Sequence, residues 1–165
     1  MENVDDQRSK LLDSLLRPED PTATALSDIN KLCDIVRETS FEIHKFLRSG
    51  HLEKIYENAL VHRLGKKGIV AQQQCEVDVV DEDGTSLGHL VADLLVDDRL
   101  IVELKACRVL ADEHVAQLLG YLRASRIEHG LLINFGGPKL QIKKYILSRD
   151  AWLGFLFVLF APSYG

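Results

Sequence analysis

The 165-residue sequence has few cysteines and no long hydrophobic run. Its three cysteines, Cys33, Cys75 and Cys107, form no CxxC pair and are odd in number, which argues against a zinc knuckle and a disulfide framework. The longest apolar stretch, residues 151–162, is shorter than the roughly 20 residues that a membrane-spanning helix needs. The first ten residues lack the apolar segment of a secretory signal. We therefore expect reduced thiols, no membrane span and an intracellular location, cytoplasmic or, in a eukaryote, nuclear.

The sequence also lacks an excess of positive charge. It has 20 Lys and Arg residues against 25 Asp and Glu residues, a formal net charge of -5. This balance argues against a nucleic-acid binder whose affinity comes from charge alone. The charge is unevenly distributed, because residues 99–149 carry 9 bases and 4 acids whereas residues 1–98 carry 11 bases and 20 acids. The basic second half means that a nuclease is not excluded.

Length and composition predict one domain with two appended segments. A length of 165 residues with 46% hydrophobic residues suits a single soluble domain with a real core. Residues 1–26 contain a short leucine patch followed by RPEDPTAT, whose prolines and small polar residues predict a linker. We expect a flexible N-terminal extension over residues 1–26, a domain over residues 27–148 and an apolar C-terminal tail over residues 149–165.

Apolar periodicity predicts the elements of this domain. Helical spacing begins after Ser27, a candidate N-cap, and continues to Ser49-Gly50, and a second helix follows from Leu52 to about Gly65. The period then changes to two, which predicts strands joined by hairpin turns. The remaining predicted elements are strands near residues 74–80, 87–96 and 100–106, a helix over residues 112–125, and strands over residues 130–135 and 140–147. This order predicts an α/β (α+β) fold with a mixed sheet of about five strands flanked by helices.

The most informative polar residues are Asp93 and the pair Glu103 and Lys105. Residues two apart in a strand point to the same face, so Glu103 and Lys105 project together from the apolar run LIVELKA. Burial of such a pair near a core is costly without a metal ion or a partner. Two carboxylates on one face, with a lysine beside them, suit Mg²⁺ and the hydrolysis of a phosphate ester.

The position of Asp93 depends on the turn between two strands. A three-residue loop, Asp97-Asp98-Arg99, pairs Val96 with Leu100 and places Asp93 opposite Glu103 on the same face. A two-residue loop would pair Asp93 with Val102 and send its carboxylate to the other face. The functional interpretation therefore predicts the three-residue loop. The alternative to a catalytic site is that Asp93, Glu103 and Lys105 form a structural ion-pair cluster.

Three further residues fit a site but also have ordinary explanations. Glu53 falls in the first turn of a helix, where a carboxylate also suits the helix dipole. Gln117 and Tyr121 lie four residues apart on one helical face, away from the apolar stripe. Either feature is also compatible with a solvated helix surface.

In combination these residues resemble a known family. The motifs Gly50-x-x-Glu53-x-x-Tyr56, Asp93, Glu103-x-Lys105 and Gln117-x-x-x-Tyr121 occur in the order of the GxxExxY family of the PD-(D/E)xK nuclease superfamily. The resemblance covers residues 28–148. It implies a restriction-endonuclease-like core, a RecB-like Q-x-x-x-Y extension, and a Mg²⁺- or Mn²⁺-dependent nuclease, a hydrolase of phosphodiester bonds.

The resemblance also implies a role for each matched residue. Asp93, Glu103 and the carbonyl of Leu104 correspond to the magnesium-binding ligands, with Glu53 as a further metal-binding acid. Lys105 corresponds to the catalytic lysine. Gln117 and Tyr121 correspond to catalytic auxiliary residues near the DNA.

Other expectations concern binding partners. The expected partner is nucleic acid, with DNA favoured, and the protein is expected to be DNA-binding. Lys139, Lys143 and Lys144 are candidates for substrate binding through phosphate contacts, although a solvated surface explains them equally well. The apolar tail suggests a homodimer or a protein partner. The alternative function is a catalytically weak or inactive nuclease-fold module that binds nucleic acid or protein.

Overall fold

The computed structural model describes residues 21–148, with side chains from residue 28 onward. The chain divides into two compact units between Leu32 and Cys33, so the first helix contributes to both and the second unit contains the other elements. The elements, in chain order, are α1 (Pro21–Leu47), α2 (Glu53–Lys66), β1 (Ala71–Val80), β2 (Ser86–Val96), β3 (Leu100–Lys105), α3 (Asp112–Ser125), β4 (His129–Asn134) and β5 (Gln141–Ile146). None of the helices in residues 21–148 is long and apolar enough to cross a membrane.

The first helix begins earlier than the sequence predicted. It starts at Pro21, so Ser27 lies inside the helix and is not its N-cap, and residues 21–24 of the predicted linker are helical. Proline is well tolerated in the first helical turn because its missing N–H would have no intrahelical partner there. The other predicted linker residues, the leucine patch and the tail of residues 149–165 lie outside the described residues.

The five strands form one mixed sheet, which confirms the predicted fold class. Their order in space is the same as in the chain, from β1 to β5. Neighbouring strands are antiparallel except β3 and β4, which are parallel, and α3 connects these two strands. The strand β1 starts at Ala71, a few residues before the predicted start.

A hydrophobic cluster lies between α3 and one face of the sheet. Leu118 and Leu122 of α3 pack in this cluster with Ile101 of β3, Leu132 of β4 and Tyr145 of β5. Since side chains alternate along a strand, Glu103 and Lys105 project from the same face of β3 as Ile101. The apolar cluster therefore lies directly beside the predicted site.

The turn between β2 and β3 has the predicted three-residue loop. Val96 pairs with Leu100 across it, and the Arg99 N–H donates to the Val96 carbonyl at 3.1 Å. Asp97 and Asp98 have φ angles of 48° and 55°, a left-handed conformation that aspartate adopts more readily than most residues. This turn fixes which face of β2 carries each side chain.

The ends of β3 and β4 are held together by a buried amide. The Asn134 side chain accepts hydrogen bonds from the Cys107 and Gly136 N–H groups at 3.1 and 3.0 Å and donates one to the Cys107 carbonyl at 2.9 Å. A Cβ atom at Gly136 would lie 2.4 Å from the backbone of Cys107, so only glycine fits there. The backbone just after Lys105 is thereby fixed.

Candidate active site

Asp93 and Glu103 lie opposite each other on neighbouring strands. The last backbone pair of the β2–β3 ladder is Leu94 with Val102, and one further step along the strands places Asp93 opposite Glu103. The Asp93 carboxylate accepts a hydrogen bond from the Leu104 N–H at 2.8 Å through Oδ2. Burial raises the pKa of Asp93, while this hydrogen bond and the charge of Lys105 oppose the increase.

Glu103 is buried and only partly satisfied. Its side chain is 2% exposed, and Oε1 accepts a hydrogen bond from the Lys105 ammonium at 2.6 Å. The other oxygen, Oε2, is buried without a hydrogen-bond partner. Burial, and then repulsion from Asp93, raise the pKa of Glu103 to about 7. A buried, unpaired carboxylate oxygen of this kind favours a bound cation or a proton.

Lys105 remains charged in this environment. Burial by itself would lower the pKa of the lysine, but the hydrogen bond to Glu103 and the negative charges of Glu103 and Glu53 outweigh it and raise the pKa. Lys105 is therefore a hydrogen-bond donor and a fixed positive charge near neutral pH.

Glu53 lies in the first turn of α2 and lines the same cavity as Asp93, Glu103 and Lys105. The N-cap of this helix is Leu52, which makes no side-chain cap. Burial raises the pKa of Glu53, the charge of Lys105 lowers it, and the charge of Asp93 raises it further. These electrostatic contributions place Glu53 in the same charged neighbourhood as Asp93 and Lys105.

The helix α3 contributes a hydrogen-bonded pair to the cavity. The Gln117 amide donates to the Tyr121 hydroxyl at 2.6 Å. The Tyr121 pKa is raised by burial and then by the negative charge of Glu103. Both side chains line the cavity.

The tyrosine of the G-x-x-E-x-x-Y motif lies in the core behind the site. The Tyr56 ring stacks on Phe135 with centroids 4.5 Å apart, and its hydroxyl donates to the Arg48 carbonyl at 2.6 Å. The His51 N–H donates to the same hydroxyl at 3.3 Å. Tyr56 thus fixes the connection that leads into Glu53.

The predicted catalytic side chains described above line one open cavity of about 480 Å³, and Tyr56 is not among its lining residues. Sequence analysis missed Lys54, Glu57, Gln74 and Val91, which also line it. Glu57 could have been found from its spacing of four residues from Glu53, which puts both on one helical face. Gln74 could not, because its contribution depends on strand pairing. The residues around the cavity are Glu53, Lys54, Glu57, Gln74, Val91, Asp93, Glu103, Lys105, Gln117 and Tyr121.

The three candidate substrate-binding lysines do not line this cavity. Lys139 and Lys143 are exposed. Lys144 is half-buried, and its charge and a hydrogen bond to Cys33 oppose the effect of burial, which raises the pKa of that thiol. Since Lys143 and Lys144 are adjacent on β5, their side chains point to opposite faces of the sheet.

The donor set of the cavity suits a hard divalent cation. In residues 28–148 no three His, Cys, Asp or Glu side chains are grouped closely enough to form a metal site by themselves. Mg²⁺ is commonly held by one or two carboxylates, with water and substrate phosphate as its other ligands. The unpaired Oε2 of Glu103, opposite the Asp93 carboxylate, matches that requirement.

Comparison with known proteins gives one match. The search of curated proteins and the search of solved structures each found no match. Residues 30–145 match the family model described as the PD-(D/E)XK nuclease superfamily. This region includes every residue that lines the cavity. The chain belongs to the PD-(D/E)XK nuclease superfamily.

Proposed function

We propose that this protein is a metal-dependent nuclease that hydrolyses phosphodiester bonds of nucleic acid, with DNA as the expected substrate. The observation that carries the proposal is the arrangement of Asp93, Glu103 and Lys105. Two carboxylates face each other, a lysine lies 2.6 Å from one of them, and one buried carboxylate oxygen has no partner. Membership of the superfamily supports the reaction type, and the motif order supports the finer assignment to the GxxExxY family.

Asp93 and Glu103 are the proposed metal ligands, with the Leu104 carbonyl as a third and Glu53 as a direct or water-mediated fourth. When bound, Mg²⁺ or Mn²⁺ would activate water and neutralise charge on the scissile phosphate. The hydrogen bond from Leu104 to Asp93 holds one carboxylate in position. The burial of Glu103 holds the other one, because its side chain has almost no room to rotate into solvent.

Lys105 acts as a donor rather than a base in this proposal. Its pair with Glu103 keeps it protonated, so it cannot accept a proton from water near neutral pH. A charged ammonium can orient the attacking water and stabilise the negative charge that develops on the phosphate oxygens. Water attacks phosphorus in line with the leaving oxygen, so that one P–O bond forms as the other breaks. The proton lost by the water is released to solvent, the leaving oxygen takes up a proton from solvent, and no covalent enzyme intermediate forms.

Gln117 and Tyr121 are proposed to contact the substrate next to the reacting phosphate. They form one wall of the cavity, and the Gln117 amide already donates to Tyr121. This leaves one Gln117 N–H, the Gln117 carbonyl oxygen and the Tyr121 hydroxyl hydrogen for DNA. The basic segment of residues 99–149, with 9 bases against 4 acids, supports binding of the phosphate backbone, to which Lys139, Lys143 and Lys144 are proposed to contribute.

A cleavage assay with a matched control tests the proposal. Purified protein is incubated with duplex DNA, single-stranded DNA and RNA, with Mg²⁺, with Mn²⁺ or with EDTA. We expect cleavage that requires the metal and is lost in Asp93→Asn and Glu103→Gln. The control is Glu82→Gln, which removes a carboxylate from the exposed β1–β2 turn. Equal cleavage by wild type and Asp93→Asn would contradict the proposal.

The same preparation also tests the alternative function. Binding of Mn²⁺ is measured by calorimetry, and binding of DNA by a gel-shift assay without cleavage. Protein that binds DNA but cuts no substrate with either metal is a nuclease-fold binding module. The metal titration then shows whether the carboxylates still bind a cation in that module.

A further inference from the structure

Glu57 is a buried carboxylate beside the proposed metal ligands, and no catalytic motif includes it. It lies on α2 one turn after Glu53, and its side chain is 5% exposed. Three side-chain donors satisfy it. Lys54 and Gln73 donate to Oε1 at 2.7 and 2.9 Å, and Gln74 donates to Oε2 at 3.2 Å.

This environment differs from that of Glu103 in one decisive respect. Both Glu57 oxygens already accept hydrogen bonds, whereas Glu103 has an oxygen without a partner. A carboxylate that is surrounded by N–H donors is suited to orient those donors and is poorly suited to bind a cation. Glu57 is therefore suited to hold the side-chain donors around it in position and is not suited to bind the metal ion.

Of the residues that donate hydrogen bonds to Glu57, Gln74 is the one opposite Asp93 on the neighbouring strand. It lies opposite Asp93, between the paired positions Gln73–Leu94 and Cys75–Ala92, and neither Gln74 nor Asp93 has a partner in the β1–β2 ladder. Gln74 has a φ angle of 52°, which turns the strand locally. The Gln74 side chain lines the same cavity as Glu57 and Asp93.

Gln74 also lies beside Asp93, because the two residues are opposite each other on neighbouring strands and line one cavity. The raised pKa of Asp93 comes first from burial, and a hydrogen bond with the Gln74 side chain is among the interactions that oppose it. An amide nitrogen has two N–H donors. One can serve Glu57 and the other Asp93, which joins the two carboxylates through a single side chain.

We propose that Glu57 and Gln74 are positioning residues, in which Glu57 fixes the orientation of the Gln74 amide and Gln74 fixes the Asp93 carboxylate opposite Glu103. This inference rests on the proposed function for the role of Asp93 as a ligand. Because an ionised carboxylate only accepts hydrogen bonds, Glu57 selects the amide orientation that presents nitrogen and not oxygen. Partners of this kind around a metal ligand commonly affect metal affinity by about 10–100-fold.

The first test compares two neighbouring glutamines. Gln74→Ala removes the proposed connection to Asp93. Gln73→Ala also removes a hydrogen bond to the Glu57 carboxylate, but the Gln73 side chain does not line the cavity. Calorimetric titration should show Mn²⁺ affinity about tenfold weaker in Gln74→Ala and Glu57→Gln, and within twofold of wild type in Gln73→Ala. Equal affinities for Gln74→Ala and wild type would overturn the proposal.

The second test does not depend on metal binding. Crystal structures of wild type and of Glu57→Gln are determined without metal. In wild type we expect a single Asp93 rotamer, with Oδ2 2.8 Å from the Leu104 nitrogen. In Glu57→Gln the Gln74 amide should turn and Asp93 should adopt a second rotamer. An unchanged Asp93 in the variant refutes the positioning role, even if wild type binds no metal and the proposed function has failed.

Discussion

Two cavities to which α3 contributes side chains differ in what else lines them. One is the carboxylate cavity described above. The other is a smaller cavity of about 300 Å³ whose lining includes the apolar side chains of Ala92, Leu95 and Ile101 together with the exposed Glu76 and Asp78. The strands β2 and β3 contribute to both, since Asp93 lies between Ala92 and Leu95 and Glu103 lies two residues after Ile101.

The difference shows how one strand can provide both stability and a reactive site. Ile101 is 1% exposed and packs in the apolar cluster, where burial of hydrocarbon favours folding. Glu103 is equally buried, yet it has an unpaired oxygen and a raised pKa, so its burial opposes folding. The apolar cluster should therefore govern stability, whereas the carboxylate cavity should govern activity at some cost in stability.

The largest expected effect concerns activity in the carboxylate cavity. Lys105→Met removes the ammonium while it keeps most of the side-chain length. We expect metal-dependent cleavage to fall by about 10³-fold, the upper range for the loss of one preorganised donor. The rate is measured in single-turnover cleavage of DNA with Mn²⁺. Because Glu103 becomes protonated when its partner is lost, the thermal midpoint should change little. A variant that cuts at the wild-type rate would mean that Lys105 has no role in the reaction.

The next effect concerns the contribution of the apolar cluster to stability. Ile101→Ala removes a buried side chain from the cluster beneath α3 and should reduce the free energy of unfolding by about 2–5 kcal/mol. Urea unfolding followed by circular dichroism measures this change. Cleavage per folded molecule should stay within about twofold of wild type, since Ile101 does not line the carboxylate cavity. A loss of activity as large as that of Lys105→Met would show that the two cavities are not separable in this way.

The sequence predicted the part of the site that depends on short-range geometry. The register of β2 and β3 follows from one three-residue turn, so the position of Asp93 opposite Glu103 could be derived from counting. The pair of Gln117 and Tyr121 follows from helical spacing in the same way. The expected functions of these residues remain predictions until they are measured.

The parts that were missed depend on long-range contacts or on weak boundaries. Gln74 lines the cavity opposite Asp93, and this pairing of β1 with β2 is a long-range contact that no periodic pattern indicates. The start of α1 was predicted too late, because proline was interpreted as a linker residue when it can equally begin a helix. Asn134 has no motif, and its importance follows only from its contacts with Cys107 and Gly136.

The smallest of these effects is the dependence of stability on pH. The folded-state pKa of Glu103 is about 7, above its ordinary value of 4.5, so the folded protein binds more protons than the unfolded chain between these values. Stability is then greatest at low pH and decreases as the pH rises. For Glu103 alone the decrease between pH 5 and pH 7 is about 2 kcal/mol. Asp93 and Glu53, whose pKa values are also raised by burial, act in the same direction.

The variant Glu103→Gln separates the pH dependence that comes from Glu103 from the opposite pH dependence that comes from His129. Burial, and then the charge of Lys144, lower the pKa of His129, so this residue makes the folded protein more stable as the pH rises towards 6.5. Unfolding of wild type and Glu103→Gln is therefore compared from pH 5 to 8 in EDTA. The stability difference should grow with pH in favour of the variant. Mn²⁺ added at pH 7.5 should then stabilise wild type more than Glu103→Gln, because a cation at the carboxylates compensates the negative charge of buried Glu103, which the variant lacks. A constant difference in stability across this pH range would mean that burial does not raise the pKa of Glu103.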